Sequence, residues 1–161
     1  MVGIAKQVGP QRYRESFGRY LEDFTVGDVY EHRPGKTVTE YDNHLFTLLT
    51  LNTHPLHFDA EYAAKTEFGR PLVNSCLTLS IVAGMSVSDL SQKAVANLGW
   101  DRIRLSAPVF AGDTVTCTVT VTEKDEEERR VEASAEFVNQ DGAEVLQASF
   151  GGFPGRVRLA R

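Results

Sequence analysis

Between Asn74 and Gln92 the chain carries a stretch of helical pattern that is apolar on most of its sides. Leu77, Ile81 and Met85 make one stripe, while Leu79, Val82 and Val87 lie elsewhere around the axis. A helix of that kind has little surface to offer water and is expected to be buried. Asn74 or Ser75 is placed to cap it, giving a helix from about Cys76 to Gln92. Its small residues, Ser80, Ala83, Gly84 and Ser86, are expected to let a surrounding sheet approach closely. The sheet comes next. From Thr114 the sequence reads TVTCTVTVT, so Val115, Cys117, Val119 and Val121 point one way and the threonines the other. That is the period-two pattern of a half-buried strand. After a polar turn from Lys124 to Glu128, Val131, Ala133, Ala135 and Phe137 alternate again. Asp141-Gly142 marks a hairpin turn, Val145 to Phe150 returns, and Leu98 to Leu105 is an earlier strand. One long buried helix followed by an antiparallel meander is an α+β arrangement.

The first half is less regular. Residues 1–18 are polar and broken by Gly3, Gly9-Pro10 and Gly18, and read as an extension outside the core. The remaining residues, 19–161, have the length of a single domain. Val26-Gly27-Asp28 is a turn leading into a short strand, and Pro34-Gly35 reads as another turn. Thr39-x-x-Asp42 has the form of a capped helix start, and Tyr41, Leu45, Leu48 and Leu49 follow at helical spacing. That helix must stop near Pro55. A short helix is expected from Asp59, with Glu61 in its first turn, before Gly69-Arg70-Pro71 breaks the chain. No segment repeats or is of low complexity.

Charge and cysteine usage narrow the partners. A formal charge of −5 argues against a nucleic-acid footprint, and Arg129-Arg130 follows four acidic residues in what reads as a solvated turn. No run of about 18 apolar residues exists to cross a bilayer. The N-terminus shows no apolar segment of secretory length. Cys76 and Cys117 each sit in an apolar pattern, so both are expected to be small buried hydrophobes in a reducing, cytoplasmic compartment. Nothing in the sequence calls for a cofactor.

The segment richest in chemistry is Leu51-Asn52-Thr53-His54-Pro55-Leu56-His57-Phe58-Asp59. Two histidines and an asparagine share a proline-stiffened loop between two helices, the kind of position where catalytic groups concentrate. An imidazole such as that of His57 can exchange a proton at working pH. Alternatively, His57 makes only ordinary loop hydrogen bonds. His54-x-x-His57 also has the look of a metal pair, but Pro55 keeps the two off one helical face and no third ligand stands at a recognisable spacing, so no metal is expected.

NTHPLHFDAEYA resembles the hydratase signature of the MaoC-like (R-specific enoyl-CoA hydratase) family, whose pattern runs D-x-N-P-[LIV]-H. FGRPLVNSCL is similar to the segment leading into that family's central helix, and LGWDRIRLSAPVFAGDTV to the strand and turn after it. The three segments keep the family's order over roughly Tyr20 to Phe153. The resemblance implies a single hotdog fold, an antiparallel sheet wrapped around a long central helix, in a homodimer or dimer of dimers with acyl-CoA at the subunit interface. It implies a hydro-lyase that adds water to an enoyl-CoA or removes it from a 3-hydroxyacyl-CoA. By position His57 matches the catalytic histidine. Asn52 stands where the family has its catalytic aspartate, and His54 where it has asparagine. An amide moves no proton, so Asn52 is expected to hold water or the substrate hydroxyl while His57 moves the proton alone.

Asn74, Ser75 and Cys76 stand at the helix start, where unpartnered amides can hold a thioester oxygen as it gains charge. The family usually shows His-Gly where this chain has Asn74-Ser75. Without the resemblance the segment reads as a plain N-cap. Arg102 and Arg104, alternating with apolar residues near a strand, are placed either to reach CoA phosphates or to face solvent. Asn52 has a further implication. A neutral amide avoids the repulsion that an aspartate would exert on a carboxylate-bearing acyl group, which points to a short acyl-CoA of that kind, with Arg70 or Arg104 as cationic partner. The resemblance implies mesaconyl-CoA and β-methylmalyl-CoA as examples, since some MaoC-like proteins serve that dicarboxylic step. The alternatives are a hotdog acyl-CoA thioesterase and a non-catalytic acyl-CoA-binding hotdog subunit, the latter favoured by the loss of the aspartate.

Overall fold

The computed structural model describes residues 4–154. The alternating segments become the central strands of a five-stranded antiparallel sheet, in the order β3-β5-β6-β7-β4. Its strands are β3 (Val29–Thr37), β4 (Trp100–Leu105), β5 (Thr114–Asp125), β6 (Arg130–Val138) and β7 (Glu144–Pro154). Val115, Cys117, Val119 and Val121 of β5 and Val131, Ala133, Ala135 and Phe137 of β6 turn to one face and are fully buried. On that face lies α3 (Ser75–Ser86), prolonged by a π-helical turn over Val87–Ser91. Leu77, Val82 and Leu90 join the strand side chains in one core cluster. Each fully buried valine, leucine or phenylalanine among them contributes about 1.5–3 kcal/mol.

Two shorter helices, α1 (Glu40–Leu49) and α2 (Ala60–Ala63), occupy the connection between β3 and α3. Thr39 and Asp42 form the expected capping box of α1, and Asp59 caps α2 through Tyr62 N. Among the described residues, no helix is long and apolar enough to cross a membrane.

The structure corrects several expectations. Residues read as an irregular extension contain a hairpin, β1 (Ile4–Gly9) with β2 (Arg12–Ser16), although none of its described side chains is buried. Gly3 lies outside the described residues. The hairpin's root is tied to the far end of the central helix: Gly18 N donates to Ser88 O at 2.6 Å and Arg19 pairs with Asp89 at 2.8 Å. Gly18 has a φ of +69°, and a Cβ there would come within 2.8 Å of Gln92, so only glycine fits. Pro34-Gly35 is not a turn between elements. It is an irregularity inside β3, where the register shifts between His32 and Lys36. An edge strand tolerates the missing amide of proline, and a Cβ on Gly35 would lie 2.9 Å from Val115 O.

The central helix is also less enclosed than its composition suggests. Cys76, Ser80 and Gly84 share an exposed stripe, so Ser80 and Gly84 look away from the sheet, while Ala83 is half-buried and Ser86 buried. Cys117 is buried as expected, but Cys76 is exposed. On α1 the apolar stripe faces outward: Tyr41, Leu45, Leu48 and Leu49 are exposed, while Asn43 and Thr47 are buried.

Candidate active site

The site is built from the end of α1, the loop 50–59 and the start of α3. After α1 the chain reverses at Leu51, which takes a φ of +57°. A non-glycine side chain pays roughly 1–2 kcal/mol in that region, so the turn is held by its surroundings. Asn52 N donates to Thr47 O, and Asn52 Oδ1 accepts from His54 N, both at 3.0 Å. His54 Nδ1 accepts from Leu56 N at 3.2 Å, with Pro55 opening a single 3₁₀ turn over Pro55–His57. These links place Asn52 half-buried, His54 exposed and His57 half-buried on one short stretch.

His57 Nδ1 lies 2.9 Å from the carbonyl oxygen of Leu72. A carbonyl only accepts, so Nδ1 carries the proton, and the neutral ring keeps its lone pair on Nε2. Nε2 is thereby left as the ring's free acceptor. Asn43, buried on α1, secures the same junction. Its Nδ2 donates to His57 O at 2.8 Å and to Leu72 O at 3.1 Å, while its Oδ1 accepts from Asn74 N at 2.9 Å. Nothing in the loop motif pointed to Asn43. The signal lay in α1, where Asn43 and Thr47 form a polar i, i+4 pair opposite the apolar stripe.

At the start of α3, Asn74 Oδ1 accepts from Cys76 N at 3.0 Å. This is the plain N-cap weighed above, and it occupies both the Asn74 side-chain oxygen and the Cys76 amide. Ser75 differs: among the described residues its N–H has no acceptor. Ser75 also lines an apolar cavity of about 240 Å³, with Phe68, Leu72, Val73 and Thr78 on one side and the segment from Leu105 to Val109 on the other. His57 and Asn52 do not themselves line the cavity; the link is Leu72, whose carbonyl holds His57 and which is a lining residue.

Arg104 is exposed on β4 beside the cavity-lining Leu105. Successive strand residues point to opposite faces, so Arg104 is not brought to the cavity. His54 and His57 have ring centroids 5.9 Å apart, but both Nδ1 atoms are engaged elsewhere. Among the described residues, no group of three or more His, Cys, Asp or Glu is placed to hold a metal ion.

The fold and the sequence agree on the class. A conserved hypothetical protein from Mycobacterium tuberculosis with a double hotdog fold superposes with a TM-score of 0.77, covering 89% of this chain and 46% of that one at 20% identity. The pattern of the MaoC like domain matches residues 23–140. The chain belongs to the MaoC-like domain family and has its hotdog fold. It is 36% identical over 104 residues to the β-methylmalyl-CoA dehydratase of Chloroflexus aurantiacus, covering 65% of this chain and 30% of that protein. It is 35% identical over 98 residues to the (R)-specific enoyl-CoA hydratase of Aeromonas caviae, covering 61% of this chain and 72% of that protein. The chain therefore spans about a third of the first relative and most of the second.

Proposed function

We propose that this chain catalyses the reversible addition of water to an enoyl-CoA thioester, with His57 as the proton-moving group. The observation that carries this reading is the bond between His57 Nδ1 and Leu72 O, which leaves Nε2 free to act as the base on a residue tied to the cavity-lining Leu72. Asn52 holds the water through its side-chain amide. Nε2 takes a proton from that water as its oxygen bonds to C3 of the enoyl group. The electron pair of the double bond moves onto the thioester oxygen, which the Ser75 N–H receives at the positive end of α3. Nε2 then returns the proton to C2. One group gives back the proton it took, so the missing carboxylate at position 52 does not break the cycle.

Both relatives act on CoA thioesters by their names, one a hydratase and one a dehydratase, which supports a hydro-lyase reading. In this reading residues 19–161 are the catalytic domain, and the protein is a cytoplasmic homodimer or dimer of dimers. The outward stripe of α1 and the exposed Ile103 and Leu105 on edge strand β4 are surfaces for a second copy to cover. The neutral Asn52 also favours the non-catalytic acyl-CoA-binding subunit.

Purified protein assayed against crotonyl-CoA and mesaconyl-CoA, following loss of the conjugated thioester absorbance, tests the proposal. Turnover of either supports hydration. Preference for mesaconyl-CoA supports a dicarboxylic substrate. No turnover of any enoyl-CoA favours the silent subunit, and release of free CoA in its place favours a thioesterase.

A further inference from the structure

The eleven residues that line the cavity include no charged side chain, so it suits the apolar body of an acyl thioester and not an anionic group. A cation nevertheless stands at its edge. Arg70 lies in the chain between Phe68 and Leu72, both lining residues, and its guanidinium carbon sits 4.0 Å from the ring centroid of Phe110, next to the lining residue Val109. The backbone around it is fixed. Pro71 follows directly, Leu72 bridges Phe110, and Val73 N donates to Val109 O at 2.9 Å. Arg70 itself is exposed, and among the described residues its guanidinium has no hydrogen bond and no carboxylate partner. Arg19 and Arg130, by contrast, are each paired with acidic side chains. A guanidinium carries five donors in a planar fork that matches a carboxylate or a phosphate. Stacking on Phe110 holds that fork in place and leaves its N–H edges free.

We propose that Arg70 is a substrate-recognition residue that receives an oxyanion of the acyl-CoA at the rim of the cavity. The inference rests on the hydration reading for its ligand. The anion is either a carboxylate at the end of the acyl group or a phosphate of the CoA nucleotide, and both present the same oxygens to the fork. Arg104, on the face of β4 away from the cavity, does not fill this role.

Calorimetric binding of unreactive thioesters separates these cases without turnover. Glutaryl-CoA and valeryl-CoA have acyl groups of equal carbon number, and only the first has a terminal carboxylate. Valeryl-pantetheine lacks the nucleotide. In Arg70→Met the expected result is a loss of about tenfold or more in affinity, and Arg70→Lys, which keeps the charge but not the planar fork, is expected to recover only part of it. A loss confined to glutaryl-CoA assigns the acyl carboxylate. A loss shared by both CoA esters but not by valeryl-pantetheine assigns the phosphate. Unchanged affinity for both CoA esters, or an equal loss for all three ligands, overturns the proposal, the second outcome because it marks a packing role on Phe110. Thermal unfolding of each variant confirms that it is folded. If the parent binds these esters yet hydrates no enoyl-CoA, the hydration reading fails while the role of Arg70 still stands or falls on its own arms.

Discussion

Asn43 donates its side-chain amide to the main-chain carbonyl of His57 at 2.8 Å, from a helix that otherwise turns its apolar side to the outside. The same amide reaches Leu72 O, and the amide oxygen accepts from Asn74 N, so one buried side chain joins the loop, the cavity wall and the cap of the central helix. Asn43→Ala strands the His57 carbonyl and the Asn74 N–H and leaves Leu72 O with His57 as its remaining donor, at a cost of roughly 2 kcal/mol in stability. Asn43→Asp keeps the acceptor for Asn74 but sets carboxylate oxygens against two carbonyls. Urea unfolding should show both variants less stable, and hydration by Asn43→Asp should fall by lowering kcat more than by raising KM. An Asn43→Ala protein as stable as the parent contradicts this role.

Asn52 stands where the signature that the loop resembles has aspartate. Asn52→Asp places an anion beside the substrate and should reduce turnover of mesaconyl-CoA more than that of crotonyl-CoA. Steady-state kinetics on the two substrates measure the ratio. Equal effects on both, or a gain on mesaconyl-CoA, remove the electrostatic reason for the asparagine.

His32 offers a pH test away from the site. Burial pushes its imidazole below the ordinary histidine range, against the pull of Asp89, whose Oδ2 lies 3.3 Å from Nδ1, while Arg19 and Arg33 add to the lowering. The fold therefore holds His32 neutral. As pH falls through about 6.5 the unfolded chain takes up a proton before the folded one does, so stability falls with acidification. The urea midpoint should drop between pH 7.5 and 5.5 more steeply in the parent than in His32→Gln. Equal slopes place the acid sensitivity elsewhere.

What the sequence revealed and what it hid have physical reasons. The strands from Thr114 to Phe150 were legible because a sheet with one buried face enforces strict alternation, as the valines of β5 show. The helix caps at Thr39 and Asp59 were legible because they are local. Pro34-Gly35 misled because the same dipeptide serves a turn or an edge-strand irregularity, and only pairing with Val115 separates the two. The apolar residues of α1 and the small-residue stripe of α3 misled in a common way. Periodicity shows that a helix has two faces, but it does not tell which one the chain itself covers. At the site, His57 and Asn52 were visible in a short motif, whereas Asn43 acts across 14 residues to His57 and 31 to Asn74. The distinction between the Cys76 amide, already bonded to Asn74, and the Ser75 amide needs coordinates.

The proposed role of His57 as the group that moves the proton is tested most directly by one comparison. Hydration of the better of the two enoyl-CoA substrates is followed by absorbance for the parent and for His57→Ala, with circular dichroism to confirm the fold. General acid–base groups contribute about 10²–10⁴-fold, so kcat should fall by at least about a hundredfold while affinity for a saturated acyl-CoA stays close to that of the parent. A His57→Ala protein that hydrates the substrate within a few-fold of the parent rate would contradict the assignment.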